Sequence, residues 1–240
     1  MARLLVGLPA LQGKIEKYKD RYDMVEIRPG DTSVPRPPTL RKWRRAVPPA
    51  FVFSVVLPRV VGELAGGAEA DAALAEALQI AAALEARCVL LATPPEVRPT
   101  AANRRKIAAL FERVPAEGVV RCWEPSGIWE TEDVIATART AGALPVLDAA
   151  REDLPPGPIV YTRLRALGKS AALGQGTVDK VADALRGRRE AFVVVEGVGG
   201  ARTRDALRAA VARTSTGPSE STVVRPMIMP ATLKAEDEEQ

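Results

Sequence analysis

The sequence contains no histidine among its 240 residues. That absence excludes His-ligated metal centres, Ser-His and Cys-His nucleophile pairs, and acid/base chemistry at an imidazole. Cysteine is almost missing too, since Cys88 and Cys122 are the only two thiols. Both lie in apolar, strand-like runs, where a cysteine is usually a small core residue. We expect no structural disulfide, because the compartment inferred for the chain is a reducing one.

Long apolar segments are also lacking. No run reaches the roughly 18 apolar residues of a membrane span, and the apolar start is too short for a signal peptide. We therefore expect a cytoplasmic protein without a membrane partner. The excess of positive charge is small, at 34 basic against 30 acidic residues, and permits a polyanionic partner without requiring one.

Aromatic residues make up only 4% of the chain, so its 47% hydrophobic content depends on Ala, Val and Leu. Such small side chains suit buried parallel strands covered by Ala-rich helices. Eight short apolar runs predict strands at 3–7, 23–28, 51–57, 88–92, 119–123, 144–148, 159–164 and 192–196. Helical spacing predicts helices at 11–22, 38–46, 70–84, 101–113, 130–141, 178–185 and 202–212.

The alternation of strand and helix predicts an α/β fold, a TIM-like β/α barrel of about eight parallel strands over residues 1–213. Only the proline-rich link 151–158 joins the sixth and seventh strands, so one helix should be missing. An open doubly wound sheet is the alternative. Helix start signals are Pro37 with Pro38, and the potential capping residues Thr100 and Thr131.

The C-terminal ends of barrel strands form the ligand-binding mouth in this architecture. In this chain they carry four arginines, four carboxylates and one tryptophan. We predict Glu124 and Asp148 as catalytic candidates, and as ligand-binding candidates Glu26, Arg28, Arg59, Trp123, Arg163, Arg165 and Glu196.

These residues allow three interpretations. The arginines suit a small anionic ligand that bears a phosphate or carboxylate, bound with weak or no catalysis. Alternatively, Glu124 and Asp148 act as general acid and base, or as oxygen ligands of a divalent metal, in a hydrolase or isomerase of a phosphorylated or sugar-like substrate. The third is a self-paired ion network that binds nothing. The spacing defines no metal site, and we predict no cofactor.

Three other segments have both a structural and a functional interpretation. A glycine-eased turn is favoured over phosphate binding for residues 197–200. Inward packing of Trp43 is favoured over nucleic-acid contact by the basic run 41–45. Residues 214–240 form a tail whose apolar stretch VVRPMIMP at 223–230 either docks on the barrel or binds a protein partner as an interaction scaffold.

The order of motifs resembles the YecE-like family of uncharacterised β/α-barrel proteins, known as domain of unknown function 72. The resemblance spans roughly residues 3–212, and WEPSGIW at 123–129 is its most specific part. The other matching stretches are YDMVEI at 22–27, LRKW at 40–43, FVFSVVLPR at 51–59, LLATPP at 90–95, Asp148 and YTRL at 161–164. The resemblance implies a barrel with a pocket at its mouth, but no settled activity.

The sequence departs from that family mostly at polar positions. Leu8 and Pro9 replace the family's Thr-Ser after the first strand, and Ser126 stands where its WEPRG pattern has arginine. Arg165 takes the place of a histidine, and Glu196 lies where an Asn-Asn pair is typical. The apolar scaffold is thus kept while the presumed site chemistry differs, which leaves lost function and a changed ligand both open.

Overall fold

The computed structural model describes residues 3–30, 33–165, 173–197 and 199–216. Eight parallel strands, β1 to β8, pair in chain order and close into a barrel. Their bounds are Arg3–Leu8, Met24–Ile27, Val52–Val56, Cys88–Thr93, Val120–Pro125, Leu144–Leu147, Ile159–Leu164 and Glu190–Val195. Each predicted strand is present, and β1 pairs with β8 over five residues from Arg3 to Gly7. The barrel prediction is confirmed, and the open sheet is wrong.

Eight helices, α1 to α8, accompany these strands in the described chain. Their bounds are Ile15–Tyr18, Pro37–Ala46, Arg59–Gly62, Ala68–Leu84, Ala101–Glu112, Thr131–Thr140, Gln175–Ala184 and Gly200–Thr216. The link between β6 and β7 is described throughout and contains no helix, as predicted. The one-turn α3 was not predicted, and α1 is much shorter than its predicted range 11–22. Gly13 has φ +77°, a left-handed conformation that a continuous right-handed helix cannot contain.

The predicted helix starts have mixed outcomes. Pro37 and Pro38 open α2, where missing amide donors cost no helical hydrogen bond. Thr100 caps α5, because its side chain accepts a hydrogen bond from the Asn103 amide at 3.2 Å. The cap predicted at Thr131 is wrong: Glu130 holds the N-cap position of α6, and the Thr131 hydroxyl donates to Glu152 instead.

Strand side chains alternate between two separate apolar cores. One core lies between the strands and the helices, where Trp123 and Phe53 are fully buried. The other fills the barrel interior, with Tyr161 and Phe192 among its large members. Cys88 and Cys122 belong to this interior core and are free thiols, as expected.

The interior apolar core ends below a polar layer near the carboxyl ends of the strands. Strand register aligns Glu26 of β2 with Ser54 of β3, and Arg163 of β7 with Val194 of β8. Because side chains two residues apart share a face, Tyr161 and Arg163 both point inward, one above the other. This layer is the floor of the mouth. No helix in the described part of the chain is long and apolar enough to cross a membrane.

Candidate functional site

Arg163 lies at the centre of the mouth with a side chain that is only 2% exposed. Its Nη1 and Nη2 donate to the two carboxylate oxygens of Glu26 at 3.0 and 2.7 Å, a bidentate pairing. Its Nε donates to both oxygens of Glu124, each at 2.9 Å. This planar fork therefore joins β7 to β2 and β5 across the barrel interior.

Glu26 is fully buried and accepts from two further side chains. The Tyr161 hydroxyl donates to Glu26 Oε1 at 2.6 Å and lies 3.1 Å from the Ser54 hydroxyl. Arg28 Nη2 donates to Glu26 Oε2 at 2.8 Å. Every oxygen of this buried carboxylate is thus hydrogen-bonded, as burial of a charge requires.

Three members of the network reach solvent at its outer edge. Arg165 Nη2 donates to Glu124 Oε1 at 2.7 Å, and its side chain is 43% exposed. Arg28 is 25% exposed. Glu196 lies 3.3 Å from Arg163 Nη1, the longest ion pair in the network, and its side chain is 35% exposed. The buried centre is therefore paired internally, whereas two guanidinium groups and one carboxylate face the mouth.

The charges of the network balance, with three arginines against three glutamates. Burial raises the pKa of Glu26, but the positive charge and hydrogen bonds of Arg163, followed by the charge of Arg28, outweigh it, so this pKa lies below its ordinary value. Burial lowers the pKa of Arg163, but the negative charges of Glu26 and Glu124 raise it by more than burial lowers it. The net pKa lies above its ordinary value, so the guanidinium stays charged. Burial raises the pKa of Tyr161, and the Glu26 charge adds to this effect. Tyr161 therefore acts as a neutral hydrogen-bond donor.

Asp148 lies at the rim but holds a turn together. Its Oδ1 accepts from the Ala150 amide at 3.0 Å and its Oδ2 from the Arg165 amide at 3.3 Å. Arg151 Nε lies 3.6 Å from Oδ2. Asp148 is only 2% exposed, so its polar atoms fix the loop that replaces the missing helix. The catalytic roles predicted for Asp148 and Glu124 remain predictions.

Trp123 does not reach the mouth, which corrects its predicted placement. Its neighbour Glu124 points inward, and alternation therefore turns Trp123 outward, where it is fully buried. Its indole Nε1 donates to Thr93 at 3.2 Å, and its ring contacts that of Trp129 edge-on at 4.8 Å. Trp129 Nε1 in turn donates to the Val97 carbonyl at 2.7 Å. Both tryptophans of the WEPSGIW stretch thus hold the loops after β4 and β5 together.

Arg59 is the second misplaced residue. It opens α3, and its Nε donates to Glu63 at 3.1 Å within the same turn of chain. Its side chain is 70% exposed, and within the described part of the chain no hydrogen bond or ion pair joins it to the network around Arg163. Arg59 belongs to α3 and not to the end of β3, so its position shortly after a strand was not sufficient to place it in the mouth.

Tyr161, Ser54 and Glu152 also belong to the site but were not predicted from the sequence. For the first two, the sequence contains an indication of this role, because Tyr161 shares the inward face of Arg163 and Ser54 interrupts an otherwise apolar strand. Glu152 had none, since only the loop conformation brings its Oε2 to the Asp148 amide at 2.9 Å.

A cleft of about 370 Å³ opens beside the network. Arg165 and Glu152 line it together with Ser126, Gly127 and Trp129. Gly127 has φ +90°, and a Cβ there would lie 3.0 Å from Pro95, so this wall of the cleft needs glycine. Across the described ranges, no group of three or more Cys, Asp or Glu could hold a metal ion.

Solved structures share this architecture at low sequence identity. A DUF72 family protein from Enterococcus faecalis matches with a TM-score of 0.65 and 13% identity, covering 90% of this chain and 99% of that one. Another DUF72 family protein, from Thermotoga maritima, gives 0.63 and 15%, covering 89% and 99%. A D-psicose 3-epimerase structure determined in the presence of D-fructose gives 0.56 and 15%, covering 89% and 98%. Identities this low support the fold alone.

No curated protein matches the chain. The sequence profile of the family described as "Protein of unknown function DUF72" matches residues 6–213. That range takes in the barrel from β1 to most of α8, together with the whole arginine–glutamate network. It also confirms the resemblance seen in the motifs, in spite of the changed polar positions. The chain therefore belongs to the DUF72 family.

Proposed function

We propose that the protein binds a small anionic ligand at the C-terminal mouth of its barrel and does little or no chemistry on it. The observation that carries this proposal is the half-exposed guanidinium of Arg165. Its Nη2 is anchored to Glu124, while the side chain lines the 370 Å³ cleft. A guanidinium held in this way presents its remaining donors to a phosphate or carboxylate with little loss of side-chain entropy.

The buried part of the network supports this role as a rigid base. Arg163 has its donors directed to Glu26 and Glu124, so it is not a ligand contact but fixes the carboxylate that holds Arg165. Arg28, anchored to Glu26 and partly exposed, is a second contact at the far edge. The family resemblance places a histidine where Arg165 stands, so a fixed positive charge at this position is a feature of this chain.

Sugar phosphates are the first ligands to test. They carry the anionic group that Arg165 fits and the hydroxyl groups that Glu152 and Ser126 of the cleft would accept from or donate to. Several structural neighbours are sugar epimerases by name, among them the D-psicose 3-epimerase and an L-ribulose 3-epimerase. This likeness motivates the choice of ligand and nothing more.

The hydrolase or isomerase alternative has weaker support. Glu124 accepts from two arginines, and Asp148 accepts from two backbone amides. A general acid or base must exchange a proton with the substrate, and these contacts hold both groups as fixed acceptors. Substrate turnover by the wild type that disappears in Glu124→Gln would favour this alternative over simple binding.

Isothermal calorimetry of the full chain with inorganic phosphate, ribose 5-phosphate and fructose 6-phosphate tests the proposal. We expect saturable binding of at least one ligand, weakened tenfold or more by Arg165→Gln. Arg59→Gln is the matched control, since it removes an equally charged, exposed guanidinium that pairs with Glu63, and it should leave the affinity unchanged. No saturable heat with any of the three ligands, or equal weakening by both variants, would contradict the proposal.

A further inference from the structure

The missing helix between β6 and β7 leaves a groove on the outside of the barrel. The groove has a volume of about 320 Å³. One wall is formed by Ile135 and Arg139 of α6, and the other by the proline link 155–158. Its floor contains Pro145 and Val160, which point outward where a helix would otherwise pack.

The groove exposes apolar surface that other parts of the barrel cover. Ile135 and Ala143, which line the groove on the outer side of the barrel, are only partly buried. An apolar groove in the place of a helix is a candidate docking site for another segment of chain.

The chain itself supplies such a segment beyond the described residues. Residues 223–230 read VVRPMIMP and contain five Val, Met and Ile side chains together with two prolines. Proline suits an extended segment and prevents a helix. We propose that residues 223–230 dock in an extended form into the groove between α6 and the link 155–158, in place of the missing helix.

The direction of α8 places its end at the correct face of the barrel. Helices in a β/α barrel run antiparallel to the strands, so α8 ends at the face where the strands begin. The groove opens at that same face, because Leu144 and Ile159 are first residues of their strands. The tail therefore starts at the end of the barrel where the groove lies.

The distance is also within reach. Arg213 near the end of α8 pairs with Asp179 of α7 at 3.1 Å. Because α7 joins β7 to β8, it occupies the helix position next to the missing one. Six residues separate Thr216 from Val223, and the seven Cα–Cα steps between these two residues span about 23 Å in an extended chain. Packed helices lie about 8–10 Å apart, so the linker is long enough to pass α7.

The groove and the tail also carry charges of opposite sign. Arg139 lines the groove, and no carboxylate of the described residues forms an ion pair with it. The sequence after the apolar stretch ends in EDEE at 236–239. An acidic end that follows a docked 223–230 segment would lie near this arginine, which adds electrostatic attraction to apolar burial.

Cysteine cross-linking in the full chain tests the docking. Met227→Cys is combined with Ala143→Cys in the groove, and in a control with Ala109→Cys, which lines a second apolar groove, beside α5. The native thiols are buried and should not compete. We expect the 143–227 disulfide to form at least tenfold faster than the 109–227 disulfide under mild oxidation, within a monomer.

Each other outcome overturns the proposal. Equal rates for the two pairs would show that the tail does not select the groove. A disulfide-linked dimer would show that the groove takes the tail of a second copy. Hydrogen exchange gives an independent check: Met227→Asp with Ile228→Asp should speed amide exchange in 143–160 severalfold and leave 103–112 unchanged. Unchanged exchange in 143–160 would also overturn the docking, and would leave the tail to the predicted role as a scaffold for other proteins.

Discussion

At the scale of single residues, the mouth depends on one buried cation. Arg163 pairs with Glu26 and Glu124 and also lies near Glu196. Removing one partner from a buried ion network leaves an uncompensated charge in a medium that solvates it poorly. Arg163 should therefore matter for stability far more than the exposed arginines of the same mouth.

Arg163→Met keeps an unbranched apolar side chain and removes the guanidinium with its charge. We expect a loss of about 3–5 kcal/mol in the free energy of unfolding, measured by urea denaturation. Arg59→Met is the control, and should change the unfolding free energy by no more than about 0.5 kcal/mol because its pair with Glu63 is exposed. A loss below about 1 kcal/mol in Arg163→Met would show that the network contributes little.

The lowered pKa of Glu26 predicts a dependence on pH. Because this pKa is lower in the folded than in the unfolded chain, the unfolded chain binds more protons between the two values. The stabilisation of the folded chain by ionised Glu26 is fully present above the ordinary glutamate pKa of about 4.3. It is lost as the pH falls below that value and through the lower pKa of the folded chain. Urea denaturation between neutral pH and pH 3 should show this fall, and Glu26→Gln should make it shallower. Glu63→Gln, at an exposed site, should leave the slope unaltered; an equal change in both variants would exclude Glu26 as its source.

At the scale of elements, short polar contacts decide where helices begin and how loops join. The Thr100 side chain satisfies an amide at the start of α5 that has no partner within the helix. The two tryptophans of WEPSGIW hold the neighbouring loops by their indole hydrogen bonds and ring contact. The two tryptophans of the most specific motif are therefore structural, whereas Glu124 of the same motif belongs to the network in the mouth.

Thr100→Ala should reduce the free energy of unfolding by about 1 kcal/mol, the usual effect of losing an N-cap. Thr100→Ser keeps the accepting oxygen and should retain most of the stability. As a control, Thr140→Ala lies on an exposed helical turn and should stay within about 0.5 kcal/mol of the wild type. Chemical denaturation of the three variants gives the comparison, and equal effects of the alanine and serine substitutions would argue against a cap.

At the scale of the whole molecule, closure of the barrel depends on a close approach between β1 and β2. These strands pair only at Gly7 with Met24 and Leu8 with Val25. A Cβ on Gly7 would collide with the backbone carbonyl of Met24, which cannot move without shifting β2. One of the three pairings that consist of only two residue pairs therefore contains a residue without a side chain.

Gly7→Ala should lower the midpoint of thermal unfolding and cost about 1–3 kcal/mol or more, because the backbone must move to relieve the collision. Gly176→Ala is the matched control: a Cβ there meets no atom within 4 Å, and alanine favours the helix. We expect this control to be neutral or up to about 1 kcal/mol more stable. A Gly7→Ala variant as stable as the wild type would show that the seam between β1 and β2 adapts freely.

The sequence by itself determined the number and order of strands, the gap between β6 and β7, and the arginine and glutamate composition of the mouth. These features are local, because periodicity and strand-end position depend on neighbours in the chain. Only the tertiary structure decided which charges pair. Arg163 pairs with Glu26, which lies 137 positions away in the sequence. Because successive side chains point to opposite faces of a strand, Trp123 points outward while its neighbour Glu124 points inward. Long-range pairing follows from closure of the barrel, and no local pattern contains it.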